Sequence, residues 1–279
     1  MGQSLIQRLE QGLDYTVLHN LIKEPREIKI VTTQHPIFPD DVIKYVDDHW
    51  KDEIKKRPQL TDGDVLGVDY PISDGDRITL PVYNTKFRYL LGTRFNQTHG
   101  FSVKLPGSGG ITILKDEGVD YFLFGKRSPN LASVGGKIEI LPQGLVDKKD
   151  LDKTSPLDET ILREAQEEIY KPALLELDKE NVELTKMQLI NSNYWNNIVL
   201  DYVLSLNDKN WLKKLRREDR GDYSVLYAPN FKEHTEFYAV PRESLTNFIE
   251  RHLSAETEDE RLGVSTRFRF RSYLNNIGE

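Results

Sequence analysis

With 279 residues, the chain is long enough to bury a substantial core, as one elaborated domain or two smaller ones. It contains no cysteine, which excludes disulfides, thiolate metal ligands and cysteine nucleophiles. The formal net charge of −7 argues against broad nucleic-acid binding, because neutralising a phosphate backbone requires a clustered basic surface. Charged residues interrupt the apolar runs near the N-terminus, so we expect a cytoplasmic protein with neither a membrane nor a nucleic-acid partner.

Residues 1–77 combine a predicted strand with a predicted helix. The β-branched run at 28–33 predicts the strand. A helix is predicted at about 40–56, where Val42, Val46 and Trp50 recur at four-residue spacing. We interpret this part of the chain as an N-terminal α/β extension.

From about residue 78, short apolar or alternating runs are separated by Gly, Pro and Asp turns, a pattern typical of strands. Helices are predicted at about 156–170 and 242–252. The sequence therefore predicts a mixed α/β (α+β) fold, with residues 78–279 as the main domain. The predicted strands lie at 78–83, 86–91, 110–114, 121–125, 138–141, 187–191, 200–206 and 234–240.

Three further segments allow more than one interpretation. The Gly-rich run 105–110 lacks a Walker lysine, so we interpret it as a turn before a strand rather than a phosphate loop. Residues 210–217 are predicted to be helical with a solvated basic face. The tail at 267–271 alternates Arg and Phe, which predicts an edge strand or docked arm whose arginines face solvent or contact phosphate.

The helix at 156–170 carries the chemistry. A hydroxyl precedes a proline at its start and Pro172 ends it, which gives about four turns. Apolar residues recur every four positions, from Leu157 to Ile169, and define a buried face. At 100° per residue, Glu168 projects inside that apolar arc, Glu164 flanks it and Glu167 lies further round.

Three like charges at this spacing repel one another, and partial burial strengthens the repulsion. A hard divalent cation such as Mg²⁺ or Mn²⁺ would remove it and would also let an acidic protein bind a diphosphate. Arg163 precedes Glu167 by four residues and is expected to hold that carboxylate. The alternative is a solvated helix face with ordinary surface charge.

The segment 140–147, followed by Arg-Glu-Ala-Gln-Glu-Glu at 163–168, resembles the Nudix box, Gly-x5-Glu-x7-Arg-Glu-U-x-Glu-Glu-x-Gly-U, where U is a bulky aliphatic residue. The strand at 121–127 also stands where that family has a strand ending in basic residues. The resemblance implies a mixed sheet sandwiched by helices and a metal-dependent diphosphatase. It implies Glu164, Glu167 and Glu168 as metal ligands, Arg163 as their organiser, and Gly144 beside the diphosphate. Lys126 and Arg127 are substrate-binding candidates that either bind phosphate near the metal or end a strand in solvent.

The segment departs from the Nudix pattern at four points. The acidic position after Gly144 is Asp150, and about five extra residues separate it from Arg163. Ala165 replaces a bulky aliphatic residue, and Tyr-Lys at 170–171 replaces Gly-U. The family places its general base variably, either in the box or on a later loop, and Glu164 is the candidate for that role here. The predicted catalytic residues are Arg163, Glu164 and Glu168.

The order of several short segments resembles the eukaryotic Nudix branch that acts on UDP-glucose and UDP-galactose. These segments are Trp50, 60–63, 87–93, the box and 191–206. This resemblance implies hydrolysis of a nucleoside-diphosphate-linked substrate to a nucleoside monophosphate and a phosphorylated moiety. The alternatives are an ADP-ribose, dinucleotide or NTP pyrophosphatase, and a catalytically silent Nudix-fold protein that binds a nucleotide.

Two other groups have both a functional and a structural interpretation. His234 and Glu236 share a face of a predicted strand but lack further ligand spacing, so we assign them a structural or surface role. Tyr194, Trp195 and the Asn-rich stretch 191–197 either form an ordinary loop or frame a base or sugar.

Overall fold

The computed structural model describes residues 5–10, 14–93, 101–129, 136–193, 196–208, 211–228, 233–255, 257 and 261–277. Its helices are α1 (Leu5–Glu10), α2 (Asp40–Lys56), α3 (Phe87–Thr93), α4 (Pro156–Ala165), α5 (Trp211–Lys214), α6 (Leu245–Leu253) and α7 (Val264–Ile277). Its strands are β1 (Tyr15–Asn20), β2 (Glu27–Thr32), β3 (Asp64–Val68), β4 (Ile72–Asp74), β5 (Arg77–Lys86), β6 (Leu105–Asp116), β7 (Val119–Arg127), β8 (Ile138–Ile140), β9 (Gln143–Leu145), β10 (Val182–Ser192), β11 (Asn197–Leu206), β12 (Arg216–Asp219), β13 (Ser224–Tyr227) and β14 (His234–Pro241).

The larger sheet is mixed and has the strand order β1-β10-β11-β6-β7-β14-β13-β12. Strands β6 and β11 are parallel, and the other neighbours are antiparallel. The β6–β7 hairpin pairs only near its turn, between 113–116 and 119–122. Beyond that point β9 pairs with β6 and β8 pairs with β7, so the β8–β9 segment fills the gap between the diverging strands.

The Gly-rich run 105–110 is part of β6, so its interpretation as a turn was wrong. Its backbone pairs with β11 on one side and β9 on the other. Two neighbouring backbones complete the ladder of hydrogen bonds, and this tertiary pairing outweighs the low strand propensity of glycine.

The smaller sheet has the order β2-β5-β3, with β4 also paired to β5. Strand β5 begins at Arg77, and each of these partners precedes it in the chain. Strand β1, by contrast, pairs with β10 at the edge of the larger sheet. The division into an extension at 1–77 and a main domain at 78–279 stays a prediction.

Helices pack on both faces of the larger sheet. Along β7, Leu123 belongs to one apolar cluster, whereas its neighbours Phe122 and Phe124 belong to another, because successive strand residues point to opposite faces. The first cluster includes the buried face of α4, and the second includes side chains of α6 and α7. This arrangement confirms the mixed α/β fold with helices flanking a sheet.

The tail at 267–271 lies within α7, so the predicted strand was wrong. Phe268 packs with Ile190 and Val199 in one cluster, whereas Phe270 and Tyr273 lie in the α6–α7 cluster. A helix buried on several sides has no continuous polar face, and its sequence therefore lacks the period that marks an amphipathic helix. The helix predicted at 210–217 is also shorter, because strand β12 begins at Arg216.

Within the described ranges, none of the helices is long and apolar enough to cross a membrane. The cytoplasmic location stays a prediction.

Candidate active site

Helix α4 continues into a π-helical turn at Gln166–Tyr170, so the two together cover the predicted helix at 156–170. The predicted apolar face, from Leu157 to Ile169, is buried. The indole N–H of Trp211 donates a hydrogen bond to the Ile169 carbonyl at 3.2 Å. Isolated π turns occur often at functional sites, and this one carries two of the three predicted metal ligands.

Glu168 is 6% exposed, as its place in the apolar arc predicted. Its Oε2 accepts a hydrogen bond from the backbone N–H of Gln143 at 3.0 Å. Burial, together with the nearby Glu164 carboxylate, raises the pKa of Glu168 well above its usual range, although the Gln143 N–H and Arg127 oppose the shift. This carboxyl group therefore favours either a proton or a cation beside it.

Glu164 lies next to Gly144 of β9. A Cβ atom at position 144 would overlap the Glu164 side chain, so any other residue there would force that carboxylate to move. Burial raises the pKa of Glu164; Arg163 opposes the shift, and Glu167 adds to it. Gly144, predicted to lie beside the diphosphate, and Glu164, a predicted metal ligand, are thus in direct contact.

Arg163 organises Glu164 rather than Glu167, which corrects the expectation from helical spacing. Its Nη1 donates to Glu164 Oε1 at 2.5 Å, and its Nη2 donates to Asp150 Oδ2 at 3.1 Å and to the Leu145 carbonyl at 3.0 Å. Glu167 is exposed. The guanidinium group reaches backwards because the 145–150 segment offers it two acceptors on that side, the Leu145 carbonyl and the buried Asp150 carboxylate.

Asp150, at the acidic position of the lengthened loop, serves to brace that loop. Its carboxylate accepts hydrogen bonds from the Asp147 N–H and the Thr160 hydroxyl, both at 3.0 Å, in addition to the bond from Arg163. Burial alone would raise the pKa of Asp150, but these hydrogen bonds together lower it. Asp150 is therefore an ionised anchor for Arg163, and the extra residues lie between the two.

A cavity of about 160 Å³, here called the carboxylate cavity, brings the predicted metal ligands together. Within the described ranges, no three Asp, Glu or His side chains are grouped closely enough to form a metal site as they are placed. The donor set nevertheless fits a hard cation, because carboxylate oxygens are its preferred ligands and Glu168 is buried beside another carboxylate. The cavity is lined by Glu164, Glu167, Glu168, Lys171, Pro172, Glu233 and His234.

His234, which the sequence assigned to a structural or surface role, lies in this cavity. It is 3% exposed, and its Nε2 has no hydrogen-bond partner among the residues that the structure describes. Burial, aided by Arg127, lowers the pKa of His234 to about 3, so the imidazole is neutral. Strand alternation places His234 on one face of β14, but nothing in the sequence shows which helix covers that face.

The two predicted basic residues point in different directions, because they are neighbours on β7. Lys126 pairs with Glu236, with 3.6 Å between Nζ and Oε1. Arg127 pairs with Glu233 at 3.8 Å, and its buried Nε lacks a hydrogen-bond partner within the described part of the chain. Arg127 also lines a second cavity, which makes it the better placed of the two for a ligand.

This second cavity, here called the distal pocket, has a volume of about 380 Å³. Gly144, which packs against the Glu164 carboxylate, also lines this pocket. The buried Oδ1 of Asn197 has no hydrogen-bond partner among the described residues, whereas Tyr194 and Trp195 lie outside them. The polar lining includes Tyr15, Arg127, Glu139, Gln143, Asn197 and Arg269.

No model of a known protein family matches the sequence, and no curated protein matches it. The structure has solved counterparts of low similarity. The C. elegans Ap4A hydrolase is 12% identical with a TM-score of 0.34, over 63% of this chain and 96% of that chain. A mutT/nudix family protein from Listeria innocua is 16% identical with a TM-score of 0.39, over 62% and 94%.

The NUDIX domain of Shewanella oneidensis NrtR, solved with ADP ribose, is 10% identical with a TM-score of 0.36, over 66% of this chain and 94% of that chain. Two of these three proteins bear the Nudix name, the family that the 140–168 segment resembles. Because all three TM-scores are below 0.5, the assignment of the site depends on the geometry of this chain alone.

Proposed function

We propose that the chain is a divalent-metal-dependent Nudix-type hydrolase that cleaves the diphosphate of a nucleoside-diphosphate-linked substrate. One observation carries the proposal. Glu164 and Glu168, four residues apart, face one cavity, and each contacts the 143–144 backbone, through a hydrogen bond at Glu168 and through close packing at Glu164. A structural helix gains nothing from a buried carboxylate, Glu168, whose pKa is raised further by a second carboxylate four residues away.

Glu164, Glu167 and Glu168 are the residues that would hold Mg²⁺ or Mn²⁺, with the exposed Glu167 side chain turning inward. When bound, such a cation supplies charge stabilisation at the phosphate oxygens and a water of lowered pKa. Arg163 holds Glu164 in place through its contacts with Asp150 and the Leu145 carbonyl.

The reaction joins a water oxygen to one phosphorus and breaks the bridging P–O bond, which releases a nucleoside monophosphate and a phosphorylated second moiety. Glu164 is the candidate acceptor of the water proton, because a carboxylate with a raised pKa is a more effective general base near neutral pH. Gly144 and Arg127 both line the distal pocket, where Arg127 offers a half-buried guanidinium group to the charge of the diphosphate.

The distal pocket is the proposed site for the remainder of the substrate, and a UDP-sugar is the first substrate to test. The segments that resemble the UDP-sugar branch contribute to this pocket: Leu90 comes from 87–93, and Asn197 and Val199 come from 191–206. The pocket combines an apolar lining with several polar side chains, and its volume suits a sugar or a nucleoside.

The deciding experiment is a panel of UDP-sugars, ADP-ribose, dinucleoside polyphosphates and NTPs, assayed for phosphate-containing products with Mg²⁺, with Mn²⁺ and with excess chelator. We expect the protein to hydrolyse one class of diphosphate, and we expect excess chelator to abolish this turnover. Full turnover in excess chelator, together with undiminished turnover in variants of Glu164 and Glu168, would refute the metal-dependent mechanism.

The alternative is a silent nucleotide-binding protein. It is favoured by the separation of the three carboxylates and by the use of Asp150 as a structural anchor. Thermal stabilisation by a nucleotide without turnover of any member of the panel would support this alternative.

A further inference from the structure

Helix α7 is hydrogen-bonded to the β8–β9 segment, which contacts Glu164 and Glu168. The Ser265 and Thr266 hydroxyls donate to Glu139 Oε2 at 2.5 and 2.8 Å. The Thr266 hydroxyl oxygen also accepts a hydrogen bond from the Ile140 backbone N–H at 2.8 Å. These contacts join residues more than 120 positions apart in the chain, so the segment is held in place by an element that follows it late in the sequence.

Arg269 extends this attachment to Gln143. Its side chain is 4% exposed, and its Nε donates to Asp201 Oδ1 at 2.5 Å. Asp201 is fully buried on β11 and also accepts from Gln188 Nε2 at 3.0 Å. The Nη1 of Arg269 donates to Gln143 Oε1 at 3.1 Å. A Cβ atom on Gly109 would overlap the guanidinium group, so that glycine leaves space for it.

Gln143 joins this network to the carboxylates. Its side chain accepts from Arg269, while its backbone N–H donates to Glu168 at 3.0 Å. The next residue, Gly144, packs against Glu164. We propose that Arg269 is a positioning residue for the hydrolase site, which fixes Gln143 so that its N–H stays directed at Glu168 and Gly144 stays against Glu164.

The guanidinium group suits this function, and an ammonium group does not. Arginine presents several N–H donors in a rigid plane, which lets one side chain bond Asp201 and Gln143 in fixed relative directions. Lysine keeps the charge opposite Asp201 but offers a single donor centre. A buried ion pair contributes little net stability compared with apolar packing. The pair of Arg269 with Asp201 is therefore better explained by the position that it gives to Gln143 than by stability.

The proposal rests on the proposed function, so its test includes a measurement that needs no activity. The variants are Arg269→Lys, Gln143→Leu, the double variant, and Arg271→Gln as the control on the same helix, where Arg271 pairs with Glu10 at 2.7 Å. Amide hydrogen exchange at Gln143 is expected to speed up in Arg269→Lys and to stay unchanged in Arg271→Gln. Unchanged exchange in Arg269→Lys would overturn the proposal, whether or not the protein proves to be a hydrolase.

On the substrate that the panel identifies, kcat is expected to fall about 10- to 100-fold in each single variant, the loss typical of a removed supporting partner. Because both changes break one connection, the double variant should lose no more than the worse single variant. Additive losses, or a rise in KM with unchanged kcat, would show instead that Arg269 contacts substrate from the wall of the distal pocket. If Arg269→Lys does not fold, Gln143→Leu breaks the same bond and leaves the buried ion pair intact.

Discussion

Glu168 is buried where a neighbouring carboxylate opposes its ionisation, and the Gln143 N–H alone donates to it among the hydrogen bonds of the described residues. Glu168→Gln keeps the size and an acceptor for that N–H but removes the charge. Turnover is expected to fall at least about 100-fold, since even an outer partner of a metal ligand is worth about 10- to 100-fold. Stability without divalent cations should be unchanged or slightly higher, measured as the midpoint of urea unfolding.

The control for this change is Glu159→Gln on the same helix. Glu159 pairs with Lys179 at 2.8 Å at the surface, and such pairs contribute about 0–1 kcal/mol. Its activity is expected to stay near that of the wild type. Near-normal turnover of Glu168→Gln, or equal damage in both variants, would show that α4 and its π turn do not carry the metal ligands.

Gly144→Ala tests the close contact between the loop and Glu164. The added methyl group would displace the carboxylate or the β9 backbone, which is expected to lower kcat and to cost about 1–3 kcal/mol of stability, the usual range for overpacking. Gly63→Ala is the matched control, because a Cβ atom there meets nothing within 4 Å. Equal activity of both variants would contradict the contact; kcat and unfolding midpoints are the measurements.

His234 gives the protein a pH-dependent contribution to stability. Its pKa is lowered to about 3 in the folded state from 6.5, so between these values the unfolded state binds the extra proton. The contribution is therefore complete above pH 6.5 and is lost as the pH falls towards 3. His234→Gln should remove up to about 1.4 kcal/mol per pH unit from the slope of stability in this window. Identical slopes for both proteins, measured by urea unfolding, would contradict a buried neutral histidine.

At the scale of elements, the lengthened loop before α4 is fixed by the contact between Asp150 and Arg163. Asp150→Asn keeps the shape but removes the charge that faces the guanidinium group, which is expected to cost about 1–3 kcal/mol, as for a hydrogen bond to a charged group. A parallel loss of turnover is expected, because Arg163 also holds Glu164. Asp152→Asn, at an exposed position of the same loop, should leave stability and turnover unchanged. If Asp150→Asn behaves like this control, the loop does not organise Arg163.

For the whole molecule, a cation that binds the folded state alone raises its stability by mass action. Mn²⁺ at about 100 times its Kd should add about 2.7 kcal/mol to the free energy of unfolding. A rise in Tm of several degrees is then expected for a chain of this length. The rise should be absent in Glu168→Gln and in NaCl of matched ionic strength. An equal rise in Glu168→Gln would place the cation elsewhere.

The position of helix 156–170, its buried face and the inward direction of Glu168 follow from the sequence alone. They depend on local factors: a proline at each end, apolar residues at four-residue spacing, and 100° of rotation per residue. The absence of cysteine likewise limited any metal site to oxygen and imidazole ligands. Such features require no knowledge of what lies across the cavity.

Only the tertiary structure decided which residues meet that helix. Gln143 and Gly144 reach the two carboxylates because β8 and β9 fill the gap between β6 and β7, and Arg269 reaches Gln143 from a helix whose Arg-Phe alternation predicted a strand. His234 enters the cavity through the pairing of β14 with β7. These contacts join residues about 25 to 126 positions apart, and their partners are selected by sheet order and buried complementarity, which no local pattern records.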